Sequence, residues 1–168
     1  MRYLNKIVFI NSAAIRYSEV QLDGNIHLIG TQGVGKSTIL RAILFFYNAD
    51  TQRLGIPVEK KSYQDYYFPY ADSSIIYEVA REDGWFTVLR YKTMNRICYR
   101  FIASPYRPDL FIDEEGAPYP SDRIRSVLDK NGIKYSGAIS TYEEYRNILY
   151  GNSDNKRDYS CYSLMESG

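Results

Sequence analysis

The sequence predicts an α/β fold organised around a strand, a glycine-lined turn and a long helix, and three observations predict it. Gly30-x-x-x-x-Gly35-Lys36-Ser37 has the spacing of a phosphate-binding loop. The short apolar run Ile26 to Ile29 ahead of it reads as a buried strand feeding the loop. Behind it, Thr38 to Tyr47 carries apolar residues at 39, 40, 43, 44, 46 and 47, a helical spacing.

The chemistry expected of this stretch follows from its residue types. Glycines at 30, 33 and 35 let the backbone take positive φ and approach an anion with no Cβ in the way. The N–H groups of Gly33, Val34, Gly35, Lys36, Ser37 and Thr38, with the positive end of the following helix, then face phosphate oxygens. Lys36 reaches the β- and γ-phosphates and the Ser37 hydroxyl coordinates Mg²⁺. The expected ligand is a nucleoside triphosphate with its magnesium ion.

A length of 168 residues suits one domain with a sizeable core. With 45% hydrophobic and 24% charged residues, the composition is that of an ordinary soluble globular chain. Lys and Arg total 21 against 20 Asp and Glu, so no global basicity points to nucleic acid, and only a local patch could serve it. Cys98 and Cys161 make neither a metal framework nor a disulfide scaffold and read as reduced thiols, which places the chain in the cytoplasm. No apolar stretch is long enough to cross a bilayer or to form a signal-peptide core. Eighteen tyrosines, spread along the chain, read as strand and surface-packing residues rather than a base-stacking platform.

Taken in order, Tyr3 to Ile10 reads as a first strand, Asn11 to Ala14 as a turn and Ile15 to Leu22 as a second strand. Asp23-Gly24-Asn25 is a tight-turn signal before the strand that enters the loop. These pieces and the helix make residues 1–50 a strand–loop–helix core. Asn48 to Ser62 is polar and holds Gly55 and Pro57, so it reads as a loop. Ile75 to Ala80, Trp85 to Tyr91 and Arg96 to Ala103 read as a three-stranded meander within an antiparallel region over 72–116. Glu82-Asp83-Gly84 and Lys92-Thr93-Met94-Asn95 supply its turns.

A helical segment follows over 120–151. Ser121 to Asn131 forms one helix with Ser121 as cap, Ile124, Val127 and Leu128 on one face, and Gly132 as terminator. Ser140-x-x-Glu143 and Thr141-x-x-Glu144 are overlapping capping boxes for a second helix, closed by Gly151. Residues 152–168 read as a polar tail.

The order Tyr3-Leu4-Asn5-Lys6-Ile7, a short turn, Val20 to Asp23, then Gly24-Asn25-Ile26-His27-Leu28-Ile29-Gly30 and the loop resembles the start of an SMC-type ATPase head. Such heads belong to the ABC-like branch of the P-loop NTPases. Tyr67-Phe68-Pro69-Tyr70, Ile75-Ile76-Tyr77-Glu78-Val79, Tyr99-Arg100-Phe101-Ile102 and Tyr145-Arg146-Asn147-Ile148-Leu149-Tyr150-Gly151 look most like the MukB-like and Wadjet-type subgroup. The resemblance runs over nearly the whole chain and implies the N-terminal lobe of an ABC-type head, with a mixed sheet plus the antiparallel meander. It implies ATP and Mg²⁺ as ligands and chromosome segregation or plasmid defence as the setting. It also implies double-stranded DNA and kleisin-like accessory subunits as partners, and a cytoplasmic, nucleoid-associated location.

In such heads an arginine after the first helix faces DNA, and Arg53 occupies a comparable place; a solvated loop arginine is the plainer reading. Arg90, Lys92, Arg96 and Arg100 form the most basic local cluster, readable as a phosphate-gripping surface or as the polar outer face of a half-exposed sheet. By the same resemblance, Asn11 and Ser12 lie near the adenine, where a plain turn is the alternative.

Neither a Leu-Ser-Gly-Gly-type signature nor a long heptad segment occurs, and the glutamine of a Q-loop has no convincing match. The expectation is therefore a chain that binds nucleotide but needs the C-terminal half of its own head, and a second head, for hydrolysis. Two compact alternatives stay open. Asp113-Glu114 after Leu110-Phe111-Ile112 imitates a Walker B pair and would make the chain a self-sufficient ATPase, although Asp-Glu-Glu-Gly followed by two prolines reads better as a hairpin turn. Asp113-Glu114-Glu115-Gly116 with Asn155-Lys156-Arg157-Asp158 fits the motifs of a small GTPase, but the second motif sits in a loop-like stretch rather than at a strand end.

Overall fold

Runs rich in β-branched and aromatic residues make five strands among the described residues, and each pairs antiparallel with its neighbours. The computed structural model describes residues 2–22, 35–48, 63–94, 96–151 and 159–165. Within them run β1 (Tyr3–Ser12), β2 (Ile15–Gln21), β3 (Ser74–Arg81), β4 (Gly84–Thr93) and β5 (Arg96–Ile102). They form one sheet in the order β2-β1-β3-β4-β5. The expected meander is present as β3–β5, but it is not a separate unit, because β1 pairs directly with β3. The parallel part of a mixed sheet would require the strand expected at 26–29, which lies outside the described residues.

The turn between β1 and β2 is tighter than expected. Ser12 pairs with Ile15, so the turn is Ala13-Ala14 and the strands run closer to it than the sequence suggests. Asn11 and Ala13 accommodate this with φ of 45° and 52°.

Among the described residues four α-helices accompany the sheet: α1 (Lys36–Asn48), α2 (Tyr63–Tyr67), α3 (Ser121–Lys130) and α4 (Tyr142–Leu149). The core has two layers because each central strand is buried on both faces. On one face Ile75, Tyr77, Val79, Phe86, Val88, Tyr99 and Phe101 meet Ile39, Ala42, Phe45 and Phe46 of α1, with Tyr145 and Ile148 of α4. On the other, Ile76, Leu89, Cys98 and Ile102 meet Leu110 and Phe111, with Ile124 and Leu128 of α3. This two-sided burial explains why β3 is near-continuously apolar rather than alternating.

The helix ends divide between expectation and correction. Thr141 caps α4, its side chain accepting from the Glu144 N–H. Ser121 is not a cap: Pro120 holds that position with φ −61° and ψ 159°, and no side chain caps α3. Gly132 and Gly151 take φ of 67° and 72° after the two helices, the left-handed geometry that a glycine stop supplies.

The outer edge of β5 is covered by the segment after α3. Tyr99 and Ile139 exchange backbone hydrogen bonds of 2.8 Å in both directions, and Ser136 N–H donates to Phe101 at 2.8 Å. Pairing of this kind blunts an edge that could otherwise template association. At the opposite side a β-bulge between Leu4 and Lys6 puts Asn5 beside the buried carboxylate of Glu78. Asn5 Nδ2 donates to Glu78 Oε1 at 2.8 Å and the Tyr106 backbone N–H donates to Oε2 at 2.7 Å. Buried charge is tolerable here because both oxygens are bonded.

Candidate functional site

Gly35, Lys36, Ser37 and Thr38 form the start of the helix that anchors the site; Gly30, Gly33 and Val34 lie outside the described residues. The Gly35 carbonyl accepts the first helical bond, from Ile39 N–H at 3.2 Å. The N–H groups of Lys36, Ser37 and Thr38 therefore come from the turn that has no intrahelical acceptor. No acidic residue stands in that turn, so its positive end is uncompensated by a carboxylate of its own. Lys36 and Ser37 are exposed and Thr38 is half-buried. Backbone amides, an ammonium and a hydroxyl at this helix start are donors of the kind that suits phosphate oxygens, and Lys36 and Ser37 are exposed.

The sheet and α4 fix α1 through tyrosine hydroxyls as well as through apolar burial. Tyr77 donates to the Ala42 carbonyl at 2.9 Å, Tyr145 donates to the Phe46 carbonyl, and Tyr150 donates to the Tyr47 carbonyl at 2.7 Å. The last two acceptors belong to the final turn, whose carbonyls have no partner within the helix. Tyr77 and Tyr145, among the tyrosines read as strand and surface-packing residues, are fully buried. Burial pushes the Tyr77 phenol up to about 12, against the opposing pull of the Arg90 guanidinium beside it.

Arg90 and Arg100 are corrections to the expected basic surface. Arg90 is 0% exposed, with its guanidinium carbon 2.9 Å from the centre of the Phe45 ring and Nη1 3.4 Å from the Tyr77 hydroxyl. Arg100 is 5% exposed on the other face of the sheet and donates to the Ser136 carbonyl at 2.7 Å. Two buried guanidinium groups on opposite faces cannot grip one phosphate backbone. The physical reason is that helices and loops cover both faces, where the sequence reading left one to solvent. Of the same cluster, Lys92 is half-buried against Asp65 at 3.8 Å, and Arg96 is exposed. Arg53 lies outside the described residues.

Asp113 sits in a hairpin turn. Its Oδ1 accepts the N–H groups of Glu115 at 2.8 Å and Ala117 at 2.9 Å, and Gly116 takes φ 82°. Glu114 is exposed. Phe111 just ahead of it packs on the face opposite α1, so the sheet stands between this turn and Lys36. A Walker B pair must share a magnesium site with the loop, and this arrangement does not bring the two together. Among the described residues no group of three His, Cys, Asp or Glu could hold a metal ion, and no helix is long and apolar enough to cross a membrane. Residues 155–158, the guanine-reading alternative, lie outside the described residues.

Asn11 and Ser12 are the last two residues of β1, just ahead of the β1–β2 turn. The Asn11 carbonyl accepts from the Ser73 hydroxyl, which itself accepts the Tyr70 N–H at 2.9 Å. Ser12 is 0% exposed and its Oγ has no hydrogen-bond partner among the described residues.

Two residues beside the helix start carry no motif signal. Tyr67, the last residue of α2, is 1% exposed and packs in the core with Ile39 and Ala42 of α1, and Arg41 on the same helix is exposed. Burial raises its phenol above the usual range while Arg41 and Thr38 oppose the rise. Only the spacing of Arg41, four residues beyond Ser37 and so on the same helix face, could have marked it.

A family model described as a protein of unknown function, DUF3584, matches residues 11–163. No curated protein and no solved structure matches the chain. With the match spanning β2 to β5 and α1 to α4, the chain belongs to the DUF3584 family.

Proposed function

We propose that this chain binds MgATP as the N-terminal lobe of an SMC-like, ABC-type ATPase head. The observation that carries the reading is the helix start at Lys36-Ser37-Thr38, with Lys36 and Ser37 exposed, free of acidic residues in its first turn, and preceded by the glycine spacing of a phosphate loop. In this reading the backbone amides and Lys36 hold the triphosphate, and Ser37 holds Mg²⁺. The antiparallel sheet supports it over the small-GTPase alternative, whose strands would run parallel: every described strand pairing here is antiparallel. The separation of Asp113 from Lys36 supports it over the self-sufficient ATPase.

The groups that split ATP then come from a C-terminal lobe with signature and Walker B motifs and from a second head closing over the nucleotide. Hydrolysis resets head engagement, driving loading or movement on double-stranded DNA in the cytoplasm with kleisin-like subunits. Titration calorimetry with MgATP on the unaltered chain and on Lys36→Ala tests the nucleotide step. Loss of about tenfold or more in affinity on a folded variant is expected; unchanged affinity refutes the reading.

A further inference from the structure

We infer that a second copy of this chain docks on the cleft beside the β4–β5 tip, each copy seating its Met94 in the cleft of the other. The inference stands apart from the nucleotide reading, because none of its residues belongs to the start of α1.

The hollow and the side chain that would fill it lie on one surface. A cleft of about 580 Å³ opens between residues 70–72, the end of β4, and Pro118 with Pro120. A space of that size takes a long apolar side chain. Met94 stands at its rim, 93% exposed, and Tyr70 lines it, 60% exposed. A two-fold interface joins a surface to an identical surface, so a knob placed beside a hole is filled twice at once.

Nothing in the fold itself asks for methionine at this position. Met94 takes φ of 54°, where hairpin turns favour Asn, Asp or Gly. An apolar side chain held out to solvent on costly backbone gains its contacts from another molecule. The flexible thioether suits an irregular hollow.

The walls are already braced. The Ser73 hydroxyl accepts the Tyr70 N–H at 2.9 Å and donates to the Asn11 carbonyl. Pro118 bridges to Ile112, and Lys92 meets Asp65 at 3.8 Å. Little ordering is then left to oppose docking.

Charge selects the occupant. Asp72, half-buried, lines the cleft. The exposed Arg96 pairs across the hairpin with Thr93, another lining residue, and so shares its face. The two-fold that seats Met94 carries each Arg96 toward Asp72 of the second copy, giving two contacts between opposite charges. Asp65 and Asp72 beside the cleft would repel a phosphate backbone, which disfavours nucleic acid as the occupant.

The test is sedimentation equilibrium without nucleotide on the unaltered chain, Met94→Ser, Arg96→Asp, Asp72→Arg, the Arg96→Asp/Asp72→Arg exchange and Lys36→Ala. The unaltered chain and Lys36→Ala are expected to dimerise alike with a Kd of about 0.1 mM, as suits a small interface. Met94→Ser and each single charge reversal should weaken dimerisation about tenfold, and the exchange should return it to within about threefold of the original. A monomer at every concentration up to about 1 mM overturns the inference. So does a dimer that Met94→Ser leaves unchanged, or an exchange as weak as the single reversals. Met94 and Arg96 are exposed, so their variants decide the matter even if Asp72→Arg folds poorly. Failure of the nucleotide reading would leave these results as they stand, since no nucleotide is present.

Discussion

The hydroxyl of Tyr145 on α4 donates to the carbonyl of Phe46 in the last turn of α1, a bond that links residues 99 positions apart. The helix that opens at Lys36 is therefore held at its far end by a residue from the last helix. Tyr145 also stacks on Tyr99 of β5 with ring centres 4.3 Å apart, so the bond is mounted on the sheet.

Tyr145→Phe keeps the stacking and removes only the donor. A buried helix carbonyl is left unsatisfied, at a cost of about 1–3 kcal/mol. Chemical denaturation should show the lower midpoint with an unchanged slope. Nucleotide affinity measured on the folded variant should stay within twofold of the original.

Arg90→Ala should destabilise the fold by about 3–5 kcal/mol, because the guanidinium fills core volume against Phe45 and bonds Tyr77. Arg96→Ala, at an exposed position, should leave the melting temperature unchanged. Thermal denaturation of the two variants separates a core arginine from a surface one. Equal melting temperatures would contradict the burial described above.

Alkaline pH should weaken the fold through its buried phenols. Tyr77 has a folded-state value of about 12 against an ordinary 10.0, chiefly because burial disfavours the phenolate. Below pH 10 both states keep the proton. Between 10 and 12 the unfolded chain releases it first, so stability falls as pH rises, by on the order of 3 kcal/mol at most for this group. Urea midpoints measured across that window should fall less steeply for Tyr77→Phe than for the unaltered chain.

Glu78→Ala strips the acceptor from both Asn5 and the Tyr106 backbone. Two buried donors then lack partners, and stability should drop by about 2–4 kcal/mol. Glu114→Gln, on an exposed turn residue, should change neither stability nor nucleotide affinity. Differential scanning calorimetry and MgATP titration together check the pair.

Where local chemistry alone decides structure, the sequence was legible. Alternation and turn residues located β3, β4 and β5 to within a residue or two. Thr141 and Gly151 bound α4 as their types require. Asp113-Glu114-Glu115-Gly116 reads as a turn because Asp and Gly supply their own backbone solution, and the Asp113 carboxylate does bond its own turn. The helix after the glycine spacing was equally plain. Its partners were not: nothing near Tyr145 in the chain announces that its hydroxyl meets the Phe46 carbonyl at the far end of that helix.

By itself, the sequence located the described strands β1 to β5 and the helices α1, α3 and α4, the first of them following a phosphate-loop spacing. Only the tertiary structure decided which polar side chains go inside. Arg90 and Arg100 look like a basic surface along one hairpin, but strand alternation sends them to opposite faces, and each face is covered by residues distant in the chain. Periodicity reports which face a side chain takes; what covers that face is a long-range fact that no local pattern encodes.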